Sequence, residues 1–260
     1  MPPIDYGIRV IVEPSPAWVV LTVTSGEPRL RRGVLWPAIV TSCDGSSTLR
    51  SRPMQLAPNY PVSTTRLRLR PLTGDDLEDV VAYRSREDVC RYIPSEPLDA
   101  LAVTQRLADR WAKHAIEREG DSVTLGVELA ATSRVIGDVM LHFASETHRC
   151  GEIGWVISPE YAGQGLATEA AHALLHLGFE DLGLHRVIAR VDARNTRSLR
   201  LGDRLAMRRE SHLIENEWFK GAWSDEIDFA LLESEWRHQH LTAPPWCARP
   251  HDSNAPIDPV

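Results

Sequence analysis

Two periodicities succeed one another along the middle of the chain. Leu67 and Leu69, flanked by Arg66, Arg68 and Arg70, alternate every two residues and predict a strand with one buried face. Residues 75–84 take a helical period, and Asp75 and Asp76 behind Gly74 place negative charge at its N-terminus. Leu101, Val103, Leu107, Trp111 and Ala115 predict a helix over 99–117. Residues 122–129 and 135–143 read as strands turning at Ala131, Thr132 and Ser133, and the polar stretch 145–149 leads to a strand over 150–157. A glycine-bearing turn follows, then a helix to about Leu182 with Ala167, Ala170, Ala171, Leu174, Leu175, Gly178 and Phe179 as its apolar positions. Residues 186–191 form an apolar strand, 198–205 a short helix, and 208–214 with 224–232 a closing hairpin. Strands come first, then strand–helix–strand, then a hairpin, which predicts an α/β chain with a mixed sheet and a local parallel βαβ unit.

The ends do not share this pattern. Residues 1–60 hold many prolines and only short β-branched pieces at 8–12 and 19–23. They read as a poorly structured extension, a small β appendage, or sequence ahead of a true start at Met54. Residues 61–240 carry the domain, and 241–260, with Pro244, Pro245, Pro250, Pro256 and Pro259, read as a flexible tail. The chain as a whole is of ordinary globular composition, 43% hydrophobic and 25% charged. A net charge of −7 argues against nucleic acid as a partner and favours cationic ones such as amines. Cys43, Cys90, Cys150 and Cys247 lie far apart with no C-x-x-C pair, which suggests a reducing cytoplasm and no metal cluster. The apolar run 17–23 is too short to span a bilayer and poorly flanked for a signal peptide, so no membrane association is expected.

The densest chemistry sits at the strand–turn–helix junction 161–170, Tyr-Ala-Gly-Gln-Gly-Leu-Ala-Thr-Glu-Ala. Gly163 and Gly165 can adopt positive φ and let backbone approach a ligand. The first N–H groups of the following helix have no intrahelical partner and lie at its positive pole. Together they suit a phosphate or pyrophosphate. No Gly-Lys-Ser/Thr follows and no G-x-G-x-x-G is present, so neither common nucleotide loop fits.

Ala162-Gly163-Gln164-Gly165-Leu166-Ala167 resembles the acetyl-CoA pyrophosphate loop of the GNAT acetyltransferases, Arg/Gln-x-x-Gly-x-Gly/Ala, with Ala162 replacing the opening Arg or Gln. Downstream, Asn195-Thr196-Arg197-Ser198 looks like the Asn-x-x-Ser element of that superfamily. The segment 215–228, containing Trp218-Phe219-Lys220-Gly221, and the opening 66–72 resemble the branch that acetylates ribosomal-protein N-termini. The resemblance runs from about Thr64 to Trp236 and implies a GNAT fold of about seven strands, with a central parallel βαβ cofactor unit and a C-terminal antiparallel hairpin. It implies acetyl-CoA as co-substrate, pantetheine along Trp155, Val156 and Ile157, and pyrophosphate on Gly163, Gln164, Gly165, Leu166, Ala167 and Thr168. A backbone N–H near Val156 or Ile157 would polarise the thioester, Asn195 would hold cofactor or strand backbone, and Ser198 would hydrogen-bond the departing sulfur. Glu217 would be the base, with Glu215, read as lying on the same strand face, its alternate. The implied reaction is direct acetyl transfer to a primary amine, a protein N-terminus or a small molecule, by a monomer or homodimer. The alternative is a catalytically silent GNAT-fold acyl-CoA-binding sensor.

Other features weigh less. His172 and His176 have the i, i+4 spacing of zinc ligands but no third ligand and no H-E-x-x-H. Arg194, Arg197 and Arg200 either meet the 3′-phosphate of CoA or form a solvated rim. Cys150 is a strand cysteine before it is a nucleophile. Ser198 and Asn195 also fit plain cap and turn roles, Trp218 and Trp223 fit cross-strand packing, and Glu169 complements the helix dipole.

Overall fold

A computed structural model describes residues 54–242. The segments 8–12 and 17–23, Cys43, Cys247 and the prolines from 244 onward lie outside the described residues. In chain order the elements are β1 (Val62–Ser63), β2 (Leu67–Pro71), α1 (Leu77–Arg84), α2 (Glu87–Cys90), α3 (Ala100–Ala108), β3 (Ser122–Leu129), β4 (Val135–Ser145), β5 (Cys150–Ile157), α4 (Leu166–His176), β6 (Arg186–Asp192), α5 (Thr196–Arg204), β7 (Arg208–Phe219), β8 (Ala222–Leu232) and α6 (Glu233–Thr242). Among the described residues the eight strands make one sheet in the order β1-β2-β3-β4-β5-β6-β8-β7, with β5 and β6 parallel and its other neighbouring pairs antiparallel. This is the mixed α/β sheet with a parallel βαβ unit and terminal hairpin that the periodicities imply.

Alternation along the strands sends apolar side chains to both faces. Leu67, Leu69, Val139, Leu141, Ile153, Val187 and Phe229 pack against Ala170, Leu174 and Leu175 of α4 and Leu201 of α5 in the larger core. Leu72, Val135, Val80, Tyr83, Val103 and Trp111 make a smaller core beneath α1 and α3 on the opposite face. Each fully buried aliphatic or aromatic side chain contributes roughly 1.5–3 kcal/mol. A buried ion pair also fastens α1 to β4: Asp138 accepts from Arg84 and, at 2.8 Å, from the Tyr83 hydroxyl.

Three elements differ from expectation. The helix expected over 99–117 stops at Ala108, because Ile116 exchanges backbone hydrogen bonds of 2.9 Å with Leu56, and Trp111 folds back with its N–H on the Arg106 carbonyl. Leu56, placed in the extension above, is 2% exposed and belongs to the larger core. The α4 helix gives way to a π-helical turn, Leu177–Asp181. The hairpin strands run further than expected and meet at Lys220 and Gly221, both at positive φ, the backbone a tight two-residue hairpin turn requires.

Candidate active site

Strands β5 and β6 pair only at Cys150↔Arg186, Gly151↔Val187 and Glu152↔Ile188. Beyond these residues each strand stays paired on its other side, β5 with β4 as far as Ile157 and β6 with β8 as far as Asp192. A gap therefore opens between two parallel strands toward their C-terminal ends. The Ser158 N–H donates to the Ile136 carbonyl at 2.8 Å, which sets the phase of β5. Gly154 and Val156 direct their backbone groups to β4, whereas Trp155 and Ile157 turn theirs into the gap. Sequence spacing left Val156 and Ile157 equivalent as backbone donors; alternation separates them.

The gap leads to the glycine loop. Gly163 has φ 79° and Gly165 φ 76°, and Gly165 is the N-cap of α4. A methyl group at Gly163 would meet nothing within 4 Å, and at Gly165 nothing nearer than the Arg66 guanidinium at 3.6 Å. The glycines are therefore required by backbone conformation and not by crowding. The N–H groups of Leu166, Ala167 and Thr168, in the first turn of α4, lack intrahelical partners. Arg66 ties the loop to the start of β2: its Nη1 donates to the Gln164 carbonyl at 2.9 Å and its Nε to Glu169 Oε2 at 2.7 Å. Glu169 Oε1 also accepts from the Thr64 hydroxyl at 2.6 Å and the Arg66 N–H at 2.8 Å. Burial pushes the Glu169 carboxyl up, but these hydrogen bonds outweigh it and hold the group below the usual range. The sequence offered only a dipole role for Glu169; its clamp depends on a partner 103 residues away.

On the other wall, Asn195 caps α5 by accepting from the Ser198 N–H at 3.1 Å. Ser198 is thus not the cap. Its hydroxyl accepts from Trp155 Nε1 at 3.2 Å, which joins α5 to β5 across the gap and leaves the serine proton free to donate. Trp155, Val156, Ile157, Gly163, Gly165, Leu166, Ala167, Thr168, Asn195 and Ser198 all line one cleft of about 2220 Å³. Gln164 does not line it; its carbonyl is engaged by Arg66. Cys150 lies at the far end of β5, ~23 Å along the strand from Ile157, and burial pushes its thiol up. His172 and His176 line the cleft, and among the described residues no group of three metal-binding side chains forms.

Glu217 does not line this cleft. It lies opposite Ser224 on the β7–β8 hairpin, so it shares a face with Glu226 and Asp228 of β8. Glu226 is held above the usual carboxylate range by burial first, then by Asp228, with Glu217 and Glu152 adding and Arg190 opposing. Arg190 lies 3.8 Å from Glu152. Glu226 escaped sequence reading because only the register shows that it stands opposite Asp192 at the end of β6. The expectation that Glu215 shares the face of Glu217 does not hold. Between Leu213 and Glu217 the register slips, three residues of β7 (214–216) standing opposite Asp225 alone on β8, and Glu215 sits at φ 48° with its N–H on Asp225. Two-residue alternation fails across such a bulge. Trp218 and Trp223 face each other edge-on at 5.3 Å and are both more than half exposed.

The chain is similar to known proteins. Residues 66–208 match the family model described as acetyltransferase (GNAT) domain. The uncharacterized N-acetyltransferase YnaD of Bacillus subtilis (strain 168) is 33% identical over 178 residues, covering 67% of this chain and 98% of that protein. The spermidine N(1)-acetyltransferase of Escherichia coli (strain K12) is 29% identical over 185 residues, covering 68% and 91%. The crystal structure of an acetyltransferase (GNAT family) from Bacillus anthracis superposes with a TM-score of 0.60 at 31% identity, covering 66% of this chain and 98% of that one. A sheet parted beside a glycine-capped helix, within a domain match spanning more than half of the sequence, identifies this chain as a member of the GNAT acetyltransferase family and an N-acetyltransferase.

Proposed function

We propose that the chain moves an acetyl group from acetyl-CoA directly to a primary amine within a ternary complex. The observation that carries this reading is the early end of β5–β6 pairing, which turns the Trp155 and Ile157 backbone groups into a cleft ending at a glycine loop. The free strand edge matches the amides of a pantetheine arm, and the N–H groups of the loop and first turn of α4 match a pyrophosphate. Trp155, Val156 and Ile157 would hold the arm, and Gly163, Gly165, Leu166, Ala167 and Thr168 the pyrophosphate, with Gln164 tied back to Arg66. The Ile157 N–H is the donor for the carbonyl oxygen, where a fixed dipole stabilises negative charge without reorganising. Asn195 holds Ser198 in place, and Ser198 donates to the departing sulfur. Glu217 takes the proton of the attacking ammonium, directly or through water. The amide C–N bond forms as the C–S bond breaks; the proton that Glu217 took passes to solvent, the second amine proton leaves through water, and the thiolate gains a proton relayed through the Ser198 hydroxyl, which is reprotonated from water.

The acceptor is a protein N-terminal amine or a small amine. Freeing an α-amino group at pH 7 costs about 1 kcal/mol and a lysine about 4–5 kcal/mol, so a carboxylate base is adequate for the first. The E. coli relative named for spermidine supports a small cationic amine, and the carboxylates beside Glu217 suit one. A silent acyl-CoA sensor is not favoured, since the relatives are named as acetyltransferases. The test is thiol release from acetyl-CoA across polyamines, aromatic amines and N-terminal peptides. Release with one class supports the proposal and names the acceptor; absence of release with every amine contradicts it.

A further inference from the structure

The hairpin that carries Glu217 ends in a two-residue turn, Lys220-Gly221, between the paired residues Phe219 and Ala222. Both turn residues have positive φ, 53° and 77°. Glycine suits the second position, and asparagine, aspartate or glycine is the usual choice at the first. A lysine there stands against its backbone preference, and such a conformation persists where the surroundings hold the residue in place. Here they do. Lys220 Nζ donates to the carbonyl of Cys90, the last residue of α2, and at 3.0 Å to the carbonyl of Ser95. These partners lie 130 and 125 residues away along the chain.

The same segment, residues 90–95, is fixed at a second point. The Tyr92 ring centre lies 5.9 Å from the Arg194 guanidinium, which in turn pairs at 2.6 Å with Asp192 at the end of β6. A chamber of about 490 Å³ lies among these groups, with Tyr92 and Glu96 on one bank and Lys220 and Ala222 on the other. That size falls within the roughly 300–1,000 Å³ of small-molecule sites. Arg91, Tyr92 and Arg194 line both this chamber and the main cleft, so the two spaces adjoin. The chamber therefore touches both places that an acceptor must reach, the donor cleft and the hairpin bearing Glu217.

We propose that Lys220 is a positioning residue for the acceptor: by tying residues 90–95 to the hairpin tip it sets the width of the chamber through which the amine approaches Glu217. The proposal rests on the acyl-transfer reading above. Lys220 takes no part in making or breaking bonds, since its ammonium group is committed to two backbone carbonyls. Without that tie the segment would have to be ordered each time an amine binds, a cost that falls on the acceptor and not on acetyl-CoA.

Lys220→Asn and Lys220→Gly remove the reach while giving the turn a residue it favours, and Lys220→Arg keeps a long cationic donor. Thiol release from acetyl-CoA is followed in the full chain and the variants with spermidine and with an alanine-first tripeptide as acceptors. Calorimetry gives the acetyl-CoA affinity. The Asn and Gly variants are expected to raise acceptor KM about tenfold, with kcat and acetyl-CoA affinity within about twofold. Their thermal midpoints should stay within about 3 °C of the full chain, the relaxed turn offsetting the lost tie. The Arg variant should recover most of the KM. An unchanged acceptor KM in the Asn and Gly variants, a loss confined to kcat, or equal weakening of acetyl-CoA would overturn the proposal. Absence of thiol release by the unaltered chain with both acceptors would overturn the transfer reading itself, and this inference with it.

Discussion

Asn195 and Ser198 divide two tasks that either could perform. Both residue types cap helices, and their spacing alone cannot assign the cap. Because Asn195 takes it, the Ser198 hydroxyl is left to face Trp155 across the gap. On the opposite face, Glu217 and Glu226 are close enough to influence one another, and burial with its neighbouring carboxylates raises the proton affinity of Glu226. Glu217→Gln is expected to lower kcat by about 10²–10³ while acetyl-CoA affinity stays within about twofold. The deficit should shrink as pH rises, because the amine then loses its proton to solvent. Thiol-release kinetics from pH 6 to about 9.5 check this. A larger loss in Glu226→Gln than in Glu217→Gln would move the base to β8. Asn195, Ser198 and the loop glycines were legible because their meaning is local. Glu226 and Glu169 were not, since one is defined by cross-strand register and the other by a contact with Arg66 and Thr64.

At the scale of elements, one contact of α5 is especially close. A methyl on Gly202 would lie 2.8–2.9 Å from three atoms of the Phe229 ring, which is fully buried. Alanine normally favours a helix over glycine by about 1 kcal/mol, but here crowding opposes it, by roughly 1–3 kcal/mol. Gly202→Ala is expected to lower stability in chemical denaturation, and to lower activity because Ser198 rides on the same helix. A more stable variant would show that the ring yields freely. The hairpin has its own electrostatic tie, Glu210 of β7 between Arg186 and Arg208, whose hydrogen bonds hold its carboxyl at about 2 against an ordinary 4.5. Between those values the unfolded chain binds the proton that the folded chain refuses. The contribution of Glu210 is therefore complete above about pH 4.5 and is lost as pH falls toward 2. Thermal melts of the wild type and Glu210→Gln should differ by a constant amount at neutral pH and converge across that window; a difference independent of pH would contradict it. Strands with strict alternation were legible in the sequence. The short α3 and the bulged β7 were not, because tertiary pairing with Leu56 and the slip at Glu215 override local periodicity.

For the whole molecule, the order of periodic segments carried the mixed sheet and its parallel unit, since few topologies join strand, helix and strand otherwise. The residues at which the sheet parts were not legible: neither β5, with Glu152, nor β6, with Arg186 and Arg190, changes character there, and only the register shows pairing end at Glu152 and Ile188. Leu56 sits in the larger core, so a chain beginning at Met54 retains every core residue named above. Such a chain is expected to fold with the thermal midpoint and acetyl-CoA affinity of the full chain. Aggregation or a lower midpoint would show that the preceding residues stabilise the domain. Among the described residues no helix is long and apolar enough to cross a membrane. The central claim is that the parted sheet and the glycine loop are one acyl-donor site. Calorimetric titration of acetyl-CoA into the unaltered chain and into Gly165→Glu tests it most directly. The account expects micromolar binding by the first and none by the second, because the substitution puts bulk and negative charge where the pyrophosphate lies; the variant should still unfold cooperatively, at a somewhat lower midpoint, since residue 165 has a φ of 76° that favours glycine. Equal affinity in the two proteins would place acetyl-CoA elsewhere and contradict the account.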